Sequence, residues 1–172
     1  MRTLIILFLL SLPACCQELV QACQQGQLER VQQLLATGSD PNQSFHGIFP
    51  LLAACDQGRI EVVRELLKAG ANPNSPLPQG GVSLLHLAVY KGYGQIAEQL
   101  LATGANVNAQ NAEGISPLMV ATERGNVALV RLLLGHGADW SLKNRDGISA
   151  LRLSQALKNA EIEQLLRQSG AQ

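Results

Sequence analysis

Aromatic side chains make up only 3% of the 172 residues, as three Phe, two Tyr and one Trp, so the position of each one carries information. An excess of charge of either sign is also missing, with 13 basic residues against 13 acidic ones and no Lys or Arg run. The electrostatic footprint of a nucleic-acid binder is therefore absent, and no nucleic acid is expected as a partner. Metal-ligand spacing is lacking too. His46, His86 and His136 fall at unrelated positions, and none has a second His, Cys or carboxylate at the spacing a metal ion needs, so no metal or cofactor is expected. The chain contains no GxSxG, GxxxxGKS/T or HExxH pattern, and its glycines recur at turns instead of gathering in a phosphate loop, so no catalytic residues are assigned.

What the chain does contain is a repeat. Glycines at positions 38, 70, 104, 137 and 170 are separated by 32, 34, 33 and 33 residues, and each closes two short amphipathic segments. A step of about 33 residues with that pattern signals stacked helical pairs. In the segment from Arg59 to Gly70, Ile60, Val62, Val63, Leu66 and Leu67 fall at helical spacing before a glycine suited to a left-handed cap. The preceding segment, Pro50 to Gln57, opens with proline at a first-turn position and carries the small residues Ala53, Ala54 and Cys55, which let neighbouring pairs approach. One such unit buries too few large side chains to offset about 1.5 kcal/mol of ordering entropy per residue. Each unit must therefore be stabilised by its neighbours.

Four segments share a motif: FPLLAA at Phe49, SLLHLA at Ser83, SPLMVA at Ser116 and SALRLS at Ser149. A second phrase follows each later helix: GSDPN at Gly38, GANPN at Gly70, GANVN at Gly104 and GADWS at Gly137. These resemble the TPLHxA and GADVN signatures of the ankyrin family. The resemblance implies an all-α fold, an ankyrin-repeat solenoid of five helix-turn-helix units with projecting β-hairpin fingers. The units cover about 17–44, 45–78, 79–111, 112–144 and 145–172 of one repeat domain spanning residues 17–172.

The ends and fingers differ from unit to unit. The first unit, Glu18 to Gly38, lacks a leading hairpin and carries Gln21, Gln24, Gln25, Gln27, Gln32 and Gln33 at its expected exposed positions, as a polar end cap requires. The finger from Asp40 to Ile48 places Phe45 and His46 near its tip. The finger from Ala71 to Val82 holds Pro73, Pro76 and Pro78 around Leu77, which lowers the entropy cost of presenting that leucine. The finger from Ala138 to Ile148 carries Trp140, with Lys143, Arg145 and Asp146 towards its tip. In the last unit Lys158 replaces the mid-unit glycine, and Glu161, Glu163 and Gln164 are expected at formerly core-facing positions, as a second cap.

Cys23 and Cys55 occupy the same repeat position. Equivalent points of stacked helices lie roughly 10 Å apart, beyond disulfide reach, so both read as buried small hydrophobes. The family resemblance implies that His86 makes a structural hydrogen bond between adjacent hairpins. Asn42-Gln43-Ser44 fits a glycosylation sequon and reads as a chance match.

At the N-terminus, one positive charge at Arg2 precedes an apolar run from Thr3 to Leu12. That run is far short of the roughly 20 residues needed to span a bilayer and has the length of a signal-peptide core. Residues 1–14 are thus expected to be a signal peptide and the protein to be exported, to the bacterial periplasm. Leu12-Pro13-Ala14-Cys15 resembles a lipobox, which makes Cys15 a candidate lipidation site and membrane tether; ordinary cleavage after Ala14 is the alternative.

The ankyrin resemblance further implies that a partner protein binds a concave face built from finger tips and the exposed positions of the first helices. Carried over position by position, this face comprises Phe45, His46, Ile48, Asp56 and Gln57. It continues with Leu77, Gln79, Val82, Tyr90, Lys91 and Tyr93, then with Ala112, Glu113, Ile115, Glu123 and Arg124, and ends with Arg145, Asp146 and Ile148. Phe45, Leu77, Tyr90 and Tyr93 are expected as a hot spot, because exposed aromatics dominate binding energy; the alternative is that the rings only cover their own hairpins. The expected function is that of a non-catalytic binding module, monomeric alone. Similar exported proteins suggest an immunity or inhibitor protein against a secreted toxin such as a lipase, or a scaffold for a periplasmic enzyme such as a catalase.

Overall fold

In the structure, a computed structural model, residues 16–75, 77 and 80–170 are described. The expected signal peptide with Cys15, the prolines at 76 and 78, and the candidate contact residue Gln79 lie outside them. The described regular structure is helical throughout: α1 (16–25), α2 (Leu28–Ala36), α3 (Pro50–Asp56), α4 (Ile60–Lys68), α5 (Leu84–Lys91), α6 (Gly94–Ala102), α7 (Pro117–Glu123), α8 (Val127–Gly135), α9 (Ala150–Ala156) and α10 (Ala160–Gln168). The chain divides into two compact units, one up to Ser75 and the other from Pro76 onwards.

The first unit holds α1 to α4. Its core includes Leu19, Val20, Val31, Leu34, Leu51, Val62, Val63 and Leu66. The glutamines assigned to the end cap, Gln21, Gln24, Gln25, Gln27, Gln32 and Gln33, are all exposed. Cys23 and Cys55 are free thiols, fully buried, and removal from water pushes both up to about 12, so they behave as apolar residues. The repeated Gly-x-x-x-Asn phrase has a structural use here. Asn42 accepts a hydrogen bond from the Asn72 amide at 2.7 Å and donates one to the Gly70 carbonyl at 2.9 Å, tying one repeat's loop to the next within this unit. The sequon amide is thus committed to the fold.

The second unit holds α5 to α10. The helices pair as α5 with α6, α7 with α8 and α9 with α10, and α5, α7 and α9 pack side by side in a row. Small or compact residues at the interior of that row, Ala88, Ala121 and Ser154, permit the close approach. Two of the buried hydroxyls are satisfied within their own helices: Thr122 donates to the Leu118 carbonyl and Ser154 to the Leu151 carbonyl, each at 2.8 Å. Ser83, Ser116 and Ser149 cap the starts of α5, α7 and α9 by accepting from the amides of His86, Met119 and Arg152. Phe49 at the equivalent place before α3 cannot do so, and Pro50 instead removes one N–H that would otherwise need an acceptor. Asn108 repeats the tie made by Asn42, accepting from the Asp139 amide at 2.7 Å and donating to the Gly137 carbonyl at 3.4 Å.

Two expectations need correction. Among the described residues the connecting fingers contain no strands, only two isolated antiparallel bridges, Phe45 with Ile48 and Lys143 with Ser149. Each tip is too short for a ladder. His46 and Gly47 form a two-residue turn with φ of 49° and 77°, while Asn111 and Asn144 close their tips by accepting from two amides each. At the C-terminal end, only Glu163 takes a formerly buried register, that of Val130 one step of 33 earlier. Glu161 and Gln164 take the register of Ala128 and Arg131, which are exposed already. Half-buried Glu163 is kept in place by Arg167 at 2.9 Å and Gln155 at 3.3 Å.

Candidate contact cleft

A chain of short hydrogen bonds in the second unit builds a cleft between α5 and α7. It begins at the finger tips, where the Ala112 amide donates to the Gly80 carbonyl at 2.6 Å and the Arg145 amide to the Glu113 carbonyl at 2.9 Å. Successive tips therefore lie backbone against backbone, with no room for a side chain between them. Gly114, at φ 76°, sits where a Cβ would come within 3.1 Å of the Asn144 Cα. Asn111 then folds its own tip, its Oδ1 accepting from the amides of Glu113 at 3.0 Å and Ile115 at 2.9 Å.

This turn presents the Ile115 carbonyl to His86, whose Nε2 donates to it at 2.9 Å. The other ring nitrogen, Nδ1, accepts from the Ser83 amide at 3.2 Å and faces the Ser83 hydroxyl at 2.8 Å. Burial lowers the His86 pKa, partly opposed by the bond to Ile115, so the imidazole is neutral with its proton on Nε2. Both ring nitrogens are committed to holding backbone, the link that the family resemblance implied.

Above this link the cleft encloses about 270 Å³ and is lined by Val82, His86, Leu87, Tyr90, Asn111, Ile115, Val120 and Glu123. Val82, Leu87, Ile115 and Val120 supply its aliphatic wall, and Tyr90 stands at the rim with 56% of its surface exposed. Arg124 fixes that ring from outside. Its guanidinium carbon lies 4.1 Å from the ring centroid, and its Nε and Nη2 donate to the Tyr90 carbonyl at 3.3 and 3.2 Å. That carbonyl belongs to the last turn of α5, where no intrahelical donor remains, so Arg124 both caps α5 and holds Tyr90 by a cation–π contact.

Of the expected contact residues, the structure brings Val82, Tyr90, Ile115 and Glu123 together in this cleft, with Arg124 on its rim. Lys91 is exposed beside Tyr90, whereas Tyr93 is half-buried at the start of α6 and does not line the cleft. Leu77 is half-buried and likewise outside it. Ala112, Glu113, Arg145 and Asp146 are exposed on the finger tips, and Ile148 is half-buried. In the first unit, Phe45 is half-buried with the exposed His46 edge-on at 4.2 Å, Ile48 is half-buried, and Gln57 is bonded to Asp56 at 2.8 Å. The reading from sequence did not assign Leu87, Asn111 or Val120 to the site. Helical spacing held a usable signal: Leu87 precedes Tyr90, and Val120 precedes Glu123, by three residues, so each pair shares a helix face.

Among the described residues no group of three His, Cys, Asp or Glu side chains could hold a metal ion, and no helix is long and apolar enough to cross a membrane. A search of curated proteins finds no match to the chain. A protein-family model described as ankyrin repeats in three copies matches residues 19–111 and again residues 85–172.

Proposed function

The chain belongs to the ankyrin-repeat family, whose repeats form protein–protein interaction modules, and we propose that it binds a partner protein through the α5–α7 cleft and the finger tips beside it. The observation that carries this reading is an exposed aromatic at the edge of an aliphatic cleft, held in one orientation by Arg124. A pre-ordered ring loses little entropy on binding, and tyrosine is enriched at binding hot spots. The size of the cleft supports a protein as ligand. About 270 Å³ is below the roughly 300–1,000 Å³ of pockets that enclose drug-sized molecules, and it suits one large side chain of a bigger partner.

The proposed cell compartment rests on the sequence alone. The apolar run behind Arg2 supports export, and the lipobox-like Cys15 supports a tether to the bacterial envelope. A module placed there suits an immunity or inhibitor protein that neutralises an envelope-acting secreted enzyme; a scaffold for a periplasmic enzyme is the competing role. Immobilised full-length protein is expected to capture its partner from the native envelope, and Tyr90→Ala to lose that capture at unchanged melting temperature. Equal capture by the variant would overturn the cleft as the contact surface. Rescue of cells from an envelope-acting toxin, against co-purification with an active enzyme, separates the two roles, and lipid labelling lost in Cys15→Ser tests the tether.

A further inference from the structure

We propose that the cleft between α5 and α7 is specific for an apolar side chain flanked by lysine or arginine, the apolar group entering between Leu87, Ile115 and Val120 and the cation meeting Glu123. This deepens the protein-binding reading and rests on it. The rim carries two charges of opposite sign whose situations differ. Arg124 is already used, by the Tyr90 ring and by two hydrogen bonds to the Tyr90 carbonyl. Glu123 lines the cleft and is exposed, with no hydrogen-bond or ion-pair partner among the described residues.

Glu123 is also the last residue of α7, at the negative end of the helix dipole, where a carboxylate is disfavoured and an approaching cation is doubly favoured. The neutral His86 beneath adds no compensating positive charge. A partner segment with a carboxylate at this place would be repelled, so the rim selects by sign while the walls select by shape.

The test uses the full-length protein and three capped dipeptides, N-acetyl-leucyl-lysine amide, N-acetyl-leucyl-glutamate amide and N-acetyl-glycyl-lysine amide, followed by backbone-amide NMR titration. The leucyl-lysine probe is expected to shift the amides of Leu87, Ile115, Val120 and Glu123 in a saturable way. It should bind about twofold to fivefold more tightly than the leucyl-glutamate probe, the range of an exposed ion pair. The glycyl-lysine probe should leave those amides in place. Glu123→Gln is expected to bring the lysine-to-glutamate ratio to about one, as is raising the salt from about 10 mM to about 500 mM. Equal binding of the two leucyl probes, a ratio unchanged in Glu123→Gln, or shifts confined to another surface would each overturn the proposal. Partner capture by the unmodified protein is scored separately, so losing the charge preference leaves the broader binding reading intact, and losing capture counts against that reading itself.

Discussion

Replacing Gly114 by alanine probes the contact on which the finger row depends, and Gly147 supplies its internal control. Both glycines sit in the left-handed region, at φ 76° and 72°, one repeat apart. Any other residue pays about 1–2 kcal/mol for that conformation, while the stiffer unfolded chain returns about 0.4–1 kcal/mol. At Gly147 nothing lies within 4 Å of the added methyl, so Gly147→Ala is expected to destabilise by about 0–1.6 kcal/mol. At Gly114 the same methyl would lie 3.1 Å from the Asn144 Cα and 3.3 Å from the Arg145 amide nitrogen, and these are backbone atoms that cannot swing aside. The tips must separate, which loosens the bond from Arg145 to the Glu113 carbonyl, worth about 0.5–1.5 kcal/mol. Gly114→Ala should therefore cost about 0.5–1.5 kcal/mol more than Gly147→Ala. For a chain of this size 1 kcal/mol corresponds to about 2–4 °C, so the melting temperature followed by circular dichroism should fall about 1–6 °C further for Gly114→Ala than for Gly147→Ala. Equal effects of the two substitutions would refute the argument that one finger packs backbone-to-backbone on the next.

Three further outcomes are expected. Lys158 holds φ 55° where the other helix-to-helix turns carry Gly26, Gly58, Gly92 and Gly125, so Lys158→Gly should raise stability by about 1 kcal/mol in a denaturant titration, and no gain would mean the turn is unstrained. His86 has a folded-state pKa below its usual 6.5, so the unfolded chain takes up its proton first. The stability this gives is complete above about pH 6.5 and declines as the pH falls below it, and His86→Gln should flatten the loss seen in denaturation midpoints between about pH 7.5 and 5. The thiols of Cys23 and Cys55, pushed up to about 12, should resist a thiol reagent at about pH 8 until the protein is unfolded; fast labelling of the native protein would contradict their burial.

Much of the candidate site was legible in the sequence at the level of position. Val82, Tyr90, Ile115, Glu123 and Arg124 could be placed near one another because a repeat carries each position forward by a nearly constant step. Position alone misled at Tyr93, which shares a short sequence stretch with Tyr90 yet begins the next helix, half-buried and away from the cleft. It also misled at Glu161 and Gln164, because a polar residue in a terminal helix need not replace a buried one.

The amino-acid sequence by itself determined the repeat, its helix pairs and its caps, because these depend on contacts within a turn or two of chain. The spacing of Val62, Val63, Leu66 and Leu67, the serines at 83, 116 and 149, and Pro50 act through neighbours only a few residues away. Only the tertiary structure decided that Arg124 covers Tyr90, that the amide of Arg145 meets the carbonyl of Glu113, and that Glu123 is left beside an open aliphatic cleft. The two contacts join residues about one repeat apart, and they form or fail according to how closely one backbone is set against the next, a distance that no local pattern of side chains records.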